Sequence, residues 1–131
     1  MFKKMVIYGA AIAGLSVVLG AFGAHALEKI VNDKYLKVFE TAVKYQMYHS
    51  IAIIICGFLY FQNPLQQFKL AFKFFVMGIS FFCGSLYLLV LFNLYEITSF
   101  RIVGILTPIG GVLFILGWVC IVLGARKFKD S

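Results

Sequence analysis

Four stretches of this chain contain no Asp, Glu, Lys or Arg: residues 5–27, 45–68, 74–95 and 102–125. They run for 23, 24, 22 and 24 residues. A helix needs about 20 residues to cross the hydrocarbon of a bilayer. Backbone groups in lipid must bond within their own segment, so each stretch is expected to be helical. The second should leave the membrane near Phe61, because Gln62-Asn63-Pro64 is a turn signal. The expected spans are therefore about 5–27, 45–61, 74–95 and 102–125, in one membrane domain covering 1–131. Composition agrees. Hydrophobic residues make up 63% and charged residues 13% of the 131, against about 25% charged in soluble domains. A soluble chain this short could not hide so much apolar surface.

The first stretch has a basic flank at Lys3 and Lys4 and a small-x-small pattern at Ala24-His25-Ala26. A secretory signal core runs for only about 7–15 apolar residues, so this one is expected to stay as a helix. Residues 28–44 carry seven charges. Leu27, Ile30, Val31, Tyr35, Val38, Phe39 and Ala42 recur there near helical spacing between Lys34, Lys37, Glu40 and Lys44. Asn32 or Asp33 could cap a helix start. The pattern predicts an amphipathic helix lying in the interface, or an extension feeding straight into the second span. The fold class is thus all-α: a polytopic four-helix transmembrane bundle with an interfacial amphipathic helix between the first two spans.

The formal charge of +7 sits in short flanks between apolar runs. Membrane-flanking Lys and Arg account for it, and nucleic acid is not an expected partner. Both termini share one side of the membrane with Lys3, Lys4, Lys69, Lys73, Arg126, Lys127 and Lys129, against Lys29, Lys34, Lys37, Lys44 and Arg101 on the other. Seven basic residues against five place the termini in the cytoplasm. The excess of Lys over Arg, with abundant Phe and Ile, suits a bacterial plasma membrane. Cys56, Cys83 and Cys120 are odd in number, lie inside apolar runs and form no CxxC pair, so they read as small buried apolar residues.

Small residues let membrane helices approach closely. Gly9, Ala13, Ser16, Gly20 and Gly23 form one stripe on the first span. Gly110, Gly117 and Gly124 recur every seven residues on the fourth, a spacing that fits left-handed packing. Ser80 and Gly84 have small-xxx-small spacing on the third. Intramembrane polar groups are costly, so their positions carry information. His25, Gln46, His49, Ser85, Tyr87 and Thr107 all fall toward one leaflet, with Glu40 one turn before the second span. Pro108 frees the carbonyl of Gly104 in the same zone. Tyr45, Tyr48, Tyr60 and Tyr95 read as interfacial aromatics.

The segments Gly20-Ala-Phe-Gly-Ala-His25, Phe39-Glu-Thr-Ala-Val-Lys-Tyr-Gln-Met-Tyr-His49, Gly84-Ser-Leu-Tyr87 and Thr107-Pro-Ile-Gly-Gly111 resemble the signature stretches of the membrane-protein family called domain of unknown function 423. The resemblance covers essentially the whole chain. It implies a four-span topology and brings no activity with it.

Three functions compete. The favoured one is a non-enzymatic bundle that binds a lipid, a membrane partner or copies of itself; the glycine seams and the lack of acidic residues inside the spans motivate it. The second is an embedded enzyme or small-solute transporter in which His25 or His49 accepts a proton while Gln46, Ser85, Tyr87 and Thr107 orient a polar group. It lacks a recognisable nucleophile–base–orienter set. The third is haem or metal ligation by His25 and His49. Two histidines fall short of the four ligands of a structural zinc site, and no CxxCH motif is present. No metal site and no cofactor are expected.

Overall fold

The computed structural model describes residues 1–98 and 101–128, with the side chain of Arg101 left aside. Lys129, counted above among the basic flank, lies outside the described residues. Helix α1 covers Phe2–His25 and is followed by a single 3-10 turn at Leu27–Lys29. Helix α2 covers Asp33–Gln62, and the third span is built from α3 (Gln66–Gly78), a π-helical turn (Ile79–Cys83) and α4 (Gly84–Leu94). Helix α5 covers Arg101–Ala125 with Pro108 inside it. Four of these helical segments are long and apolar enough to cross a membrane: Phe2–Lys29, Asp33–Gln62, Gln66–Leu94 and Ile102–Ala125. The protein is an all-helical integral membrane bundle.

The helices overrun the uncharged windows, because helix formation does not stop where the hydrocarbon does. Residues 33–44 are not a separate interfacial helix. They are the first turns of α2, which runs unbroken for 30 residues. No Gly or Pro interrupts that stretch before Gly57. Asn32 is the cap: its side chain accepts from the Tyr35 N–H at 3.1 Å. The third span likewise begins at Gln66, eight residues before Phe74, and takes Lys69 and Lys73 onto the helix. Lys69 Nζ lies over the Tyr60 ring at 5.3 Å, which holds its charge at the polar edge of the bundle. At the other end of this span the chain leaves α4 through Glu96 at φ 53°, a left-handed position usually taken by glycine. The Ile97 N–H then bonds the Phe92 carbonyl at 2.9 Å and the Glu96 N–H bonds that of Asn93 at 3.2 Å, satisfying two helix-end acceptors.

Two helix pairs dominate the packing: α1 lies along α2, and α3 lies along α5. In the first pair a Cβ on Gly9 would stand 2.8 Å from the Ser50 carbonyl, and one on Gly23 would stand 2.7 Å from the Phe39 ring. Gly20 faces Val43 more loosely, at 3.4 Å; Ser16 is fully buried and bonds the Ile12 carbonyl at 3.0 Å; Ala13 is half-buried. In the second pair the glycines meet phenylalanines. Gly124 faces Phe68, Gly117 faces Phe75, and Gly110 presses on the backbone of Phe82. Phe68, Phe75 and Phe82 are also seven residues apart. The antiparallel third span and α5 therefore carry matched seven-residue ladders, with a ring seated against glycine at two rungs and backbone against glycine at the third. Gly78 repeats the motif in reverse by receiving the Phe114 ring.

The Ser80–Gly84 pair does not form a helix contact. Ser80 is exposed and bonds the Val76 carbonyl at 3.0 Å, and a Cβ on Gly84 would meet nothing within 4 Å. Ser80 lies inside the π-helical turn and Gly84 follows directly after it. One extra residue in a turn rotates all that follows by about 100°, so a spacing of four no longer marks one face. The core gathers Met5, Ile53, Cys56, Phe75, Cys83 and Phe114, while Ile7, Val18, Phe61, Ile102 and Ile115 are more than half exposed, the arrangement a lipid solvent favours.

Candidate functional site

The six intramembrane polar residues do not converge on one centre. Four of them make two separate inter-helix ties, His49 makes a third, and His25 stands apart. Gln46 is 3% exposed. Its Nε2 donates to the Ile12 carbonyl on α1 at 3.2 Å, and its Oε1 accepts from the Tyr87 hydroxyl on α4 at 2.7 Å. One amide thus joins three helices. The second tie is Ser85 to Thr107, with hydroxyl oxygens 2.6 Å apart. Ser85 donates to the Phe82 carbonyl at 2.8 Å. Its single proton is then used, so Thr107 is the donor between the two hydroxyls. The π-helical turn sets this up by rotating α4 until Ser85 faces α5.

His49 forms the third tie, in the middle of the bundle beside Phe114, which is near the centre of α5. Its Nδ1 lies 2.7 Å from the Tyr45 carbonyl, and the Trp118 indole N–H donates to its Nε2 at 3.2 Å. A carbonyl only accepts and an indole N–H only donates. Both bonds form together only in the neutral imidazole with its proton on Nδ1. The ring stacks on Phe114 with centroids 3.5 Å apart and planes 7° from parallel. Both nitrogens and one face of His49 are therefore occupied by the protein itself.

His25 and Glu40 are exposed and join none of these ties. Gly23 packs on Phe39, which places His25 beside the start of α2. That is about 15 Å along the helix from His49 at 1.5 Å per residue. The two histidines do not face a shared ligand. Among the described residues no group of three or more His, Cys, Asp or Glu is placed to hold a metal ion. Among those residues, too, every buried side-chain nitrogen and oxygen has a hydrogen-bond partner.

The ties do not enclose a polar pocket. Beside them runs a groove of about 560 Å³ between α2, the π-helical turn and α5. Tyr45, Tyr48 and His49 line one side, and Phe82, Gly111, Phe114, Ile115 and Trp118 the rest. Tyr48, Ile115 and Trp118 are 57%, 64% and 44% exposed, so the groove opens sideways onto the lipid-facing surface. The polar side chains among its lining residues are Tyr45, Tyr48, His49 and Trp118, and the last two are paired with each other. Such a lining suits a hydrocarbon chain or a flat apolar ring better than a polar solute.

Sequence reasoning singled out His49 but missed Trp118 and Phe114, and it placed Tyr45 at the interface. Tyr45 packs its ring 4.7 Å from Phe82 and lines the groove. One signal was available: the chain's single tryptophan lies well inside the fourth uncharged run, whereas interfacial tryptophans cluster at span ends.

Known membrane proteins are similar to this chain over nearly its whole length. The chain is 44% identical over 126 residues to UPF0382 membrane protein SH2409 of Staphylococcus haemolyticus, covering 96% of this chain and 98% of that one. It is 42% identical over 127 residues to UPF0382 membrane protein YwdK of Bacillus subtilis, again covering 96% and 98%. No solved structure matches it. The model of the family described as "Protein of unknown function (DUF423)" matches residues 19–111, a region that holds Gln46, His49, Ser85, Tyr87 and Thr107, and the chain belongs to that family.

Proposed function

We propose that this protein is a non-enzymatic, lipid-binding component of the bacterial plasma membrane, with both termini in the cytoplasm. The observation that carries this reading is the aromatic groove beside His49. It opens sideways toward lipid at mid-span and offers a bilayer molecule an aromatic stacking surface in which the His49 and Trp118 nitrogens are already paired. Of the polar residues that would serve an embedded enzyme or a transporter, Gln46, His49, Ser85, Tyr87 and Thr107 are engaged in holding helices together, and His25 stands apart from them. A base or a metal ligand needs a free ring nitrogen, and the acceptor nitrogen of His49 is taken by Trp118. The cytoplasmic placement of the termini is supported by the excess of basic residues on their side.

Gly111 allows a direct test. A Cβ there would meet Phe82 Cδ2 at 3.9 Å, an ordinary contact. Gly111→Leu should therefore fold and fill the groove. The expected result, by native mass spectrometry of protein released from mild detergent, is loss of the lipid that accompanies the wild-type chain, with unchanged thermal stability. Lipid retained at wild-type stoichiometry would exclude the groove as its site.

A further inference from the structure

A second recess lies between α1 and α2 near the end that carries His25, and it shares no residue with the groove beside His49. Its volume is about 290 Å³. The α1 wall is made of Gly20, Gly23 and Ala24, and the α2 wall of Phe39, Val43 and two charged residues, Glu40 and Lys44. Both charged side chains are exposed, and neither has an ion-pair partner among the described residues. They are four residues apart, which puts them on one face with about 5–6 Å between their Cβ atoms.

The depth of this recess is what makes it informative. The α1 residues opposite Glu40 and Lys44 belong to the uncharged run 5–27. The two charges therefore lie level with the end of that uncharged run, beside its small residues. Small residues on α1 leave room beside them, and the groups that occupy this depth of a bilayer are lipid phosphates and their substituents. A carboxylate and an ammonium one helical turn apart complement a headgroup that carries one ammonium and one phosphate two carbons apart. Phe39 also lines an apolar recess between α1 and α4, with Leu19, Leu27, Val90 and Leu94, large enough at about 350 Å³ for part of an acyl chain.

We propose that Glu40 and Lys44 form a binding site for the headgroup of a zwitterionic aminophospholipid, with Glu40 accepting from its primary ammonium and Lys44 donating to its phosphate. A trimethylated headgroup has no N–H to give Glu40, and an anionic glycerol headgroup has no cation for it. The site thus discriminates by Glu40 and holds by Lys44.

The test is a titration of the full chain in detergent with phosphatidylethanolamine, phosphatidylcholine and phosphatidylglycerol of identical acyl chains, read by native mass spectrometry. Phosphatidylethanolamine should bind about fivefold more tightly than either of the others. Glu40→Gln should erase that preference, and Lys44→Met should weaken all three lipids. Both side chains are exposed, so neither substitution should shift the melting temperature. Gly111→Leu should leave the preference intact, which separates this site from the groove beside His49. Equal affinities, tighter phosphatidylglycerol binding, a preference that survives Glu40→Gln or one that vanishes with Gly111→Leu would each overturn the proposal.

Discussion

At Gln46 one amide meets two other helices at once. Its nitrogen holds the Ile12 carbonyl and its oxygen receives the Tyr87 hydroxyl. Hydrogen bonds between membrane helices contribute about 0.6 kcal/mol on average and up to about 1.7. The Tyr87 bond is expected near the upper value, because it is short and its acceptor is buried. Tyr87→Phe should lower stability by about 1.5 kcal/mol, measured by thermal unfolding in detergent. Gln46→Leu removes the acceptor, so adding Tyr87→Phe to it should cost almost nothing more. Equal and additive losses would show that the two groups act independently. The same residue marks how far sequence reasoning reached. Placing Gln46 and Tyr87 at a similar depth needs only a rise per residue. Their bond, and the neutral tautomer of His49, depend on rotations about helix axes that spacing leaves free.

Between helices, the informative object is the ladder on α3 and α5. The seven-residue spacing of Gly110, Gly117 and Gly124 could be read from the sequence. Its counterpart, Phe68, Phe75 and Phe82, could not, because fifteen phenylalanines offer many other spacings. The π-helical turn left no readable mark either, and it is what sends Ser85 toward α5 and leaves Ser80 and Gly84 without a partner helix. A glycine's environment decides what replacing it does. On Gly117 a Cβ would fall 2.5 Å from the Phe75 ring, whereas on Gly14 it would meet nothing within 4 Å. Gly117→Leu should destabilise the bundle by about 1–3 kcal/mol through overpacking. Gly14→Ala should be neutral or slightly stabilising, since glycine is a poor helix former. Unfolding midpoints of the two variants in one detergent make the comparison. A tolerated Gly117→Leu would mean that α3 and α5 do not pack in this register.

For the molecule as a whole, hydrophobicity alone carried the four spans, because lipid leaves a backbone few ways to satisfy itself. The site was less legible. The polar residues drew attention by their cost, yet their partners are carbonyls and aromatic rings, which no spacing reveals. Orientation rests on the charge flanks. A reporter that is active only in the cytoplasm should be active when fused to the C-terminus and silent when inserted near Glu96, in the turn between α4 and α5. The reverse pattern would invert the topology. The bundle is also two hairpins, α1 with α2 and α3 with α5, docked through α2. Both proposed lipid contacts involve α2, through Phe39, Glu40, Val43 and Lys44 in one and Tyr45, Tyr48 and His49 in the other.

The bond from Trp118 to His49 has an optical consequence. The chain has a single tryptophan, and its indole is at once a wall of the groove and the donor that holds the imidazole in place. All indole emission from this protein therefore comes from one ring at the groove. Entry of a chain or ring into that space, or release of the histidine, changes the surroundings of the only indole. The wild-type chain carries its own fluorescent gauge of groove occupancy, with no label to attach and no other tryptophan to mask it.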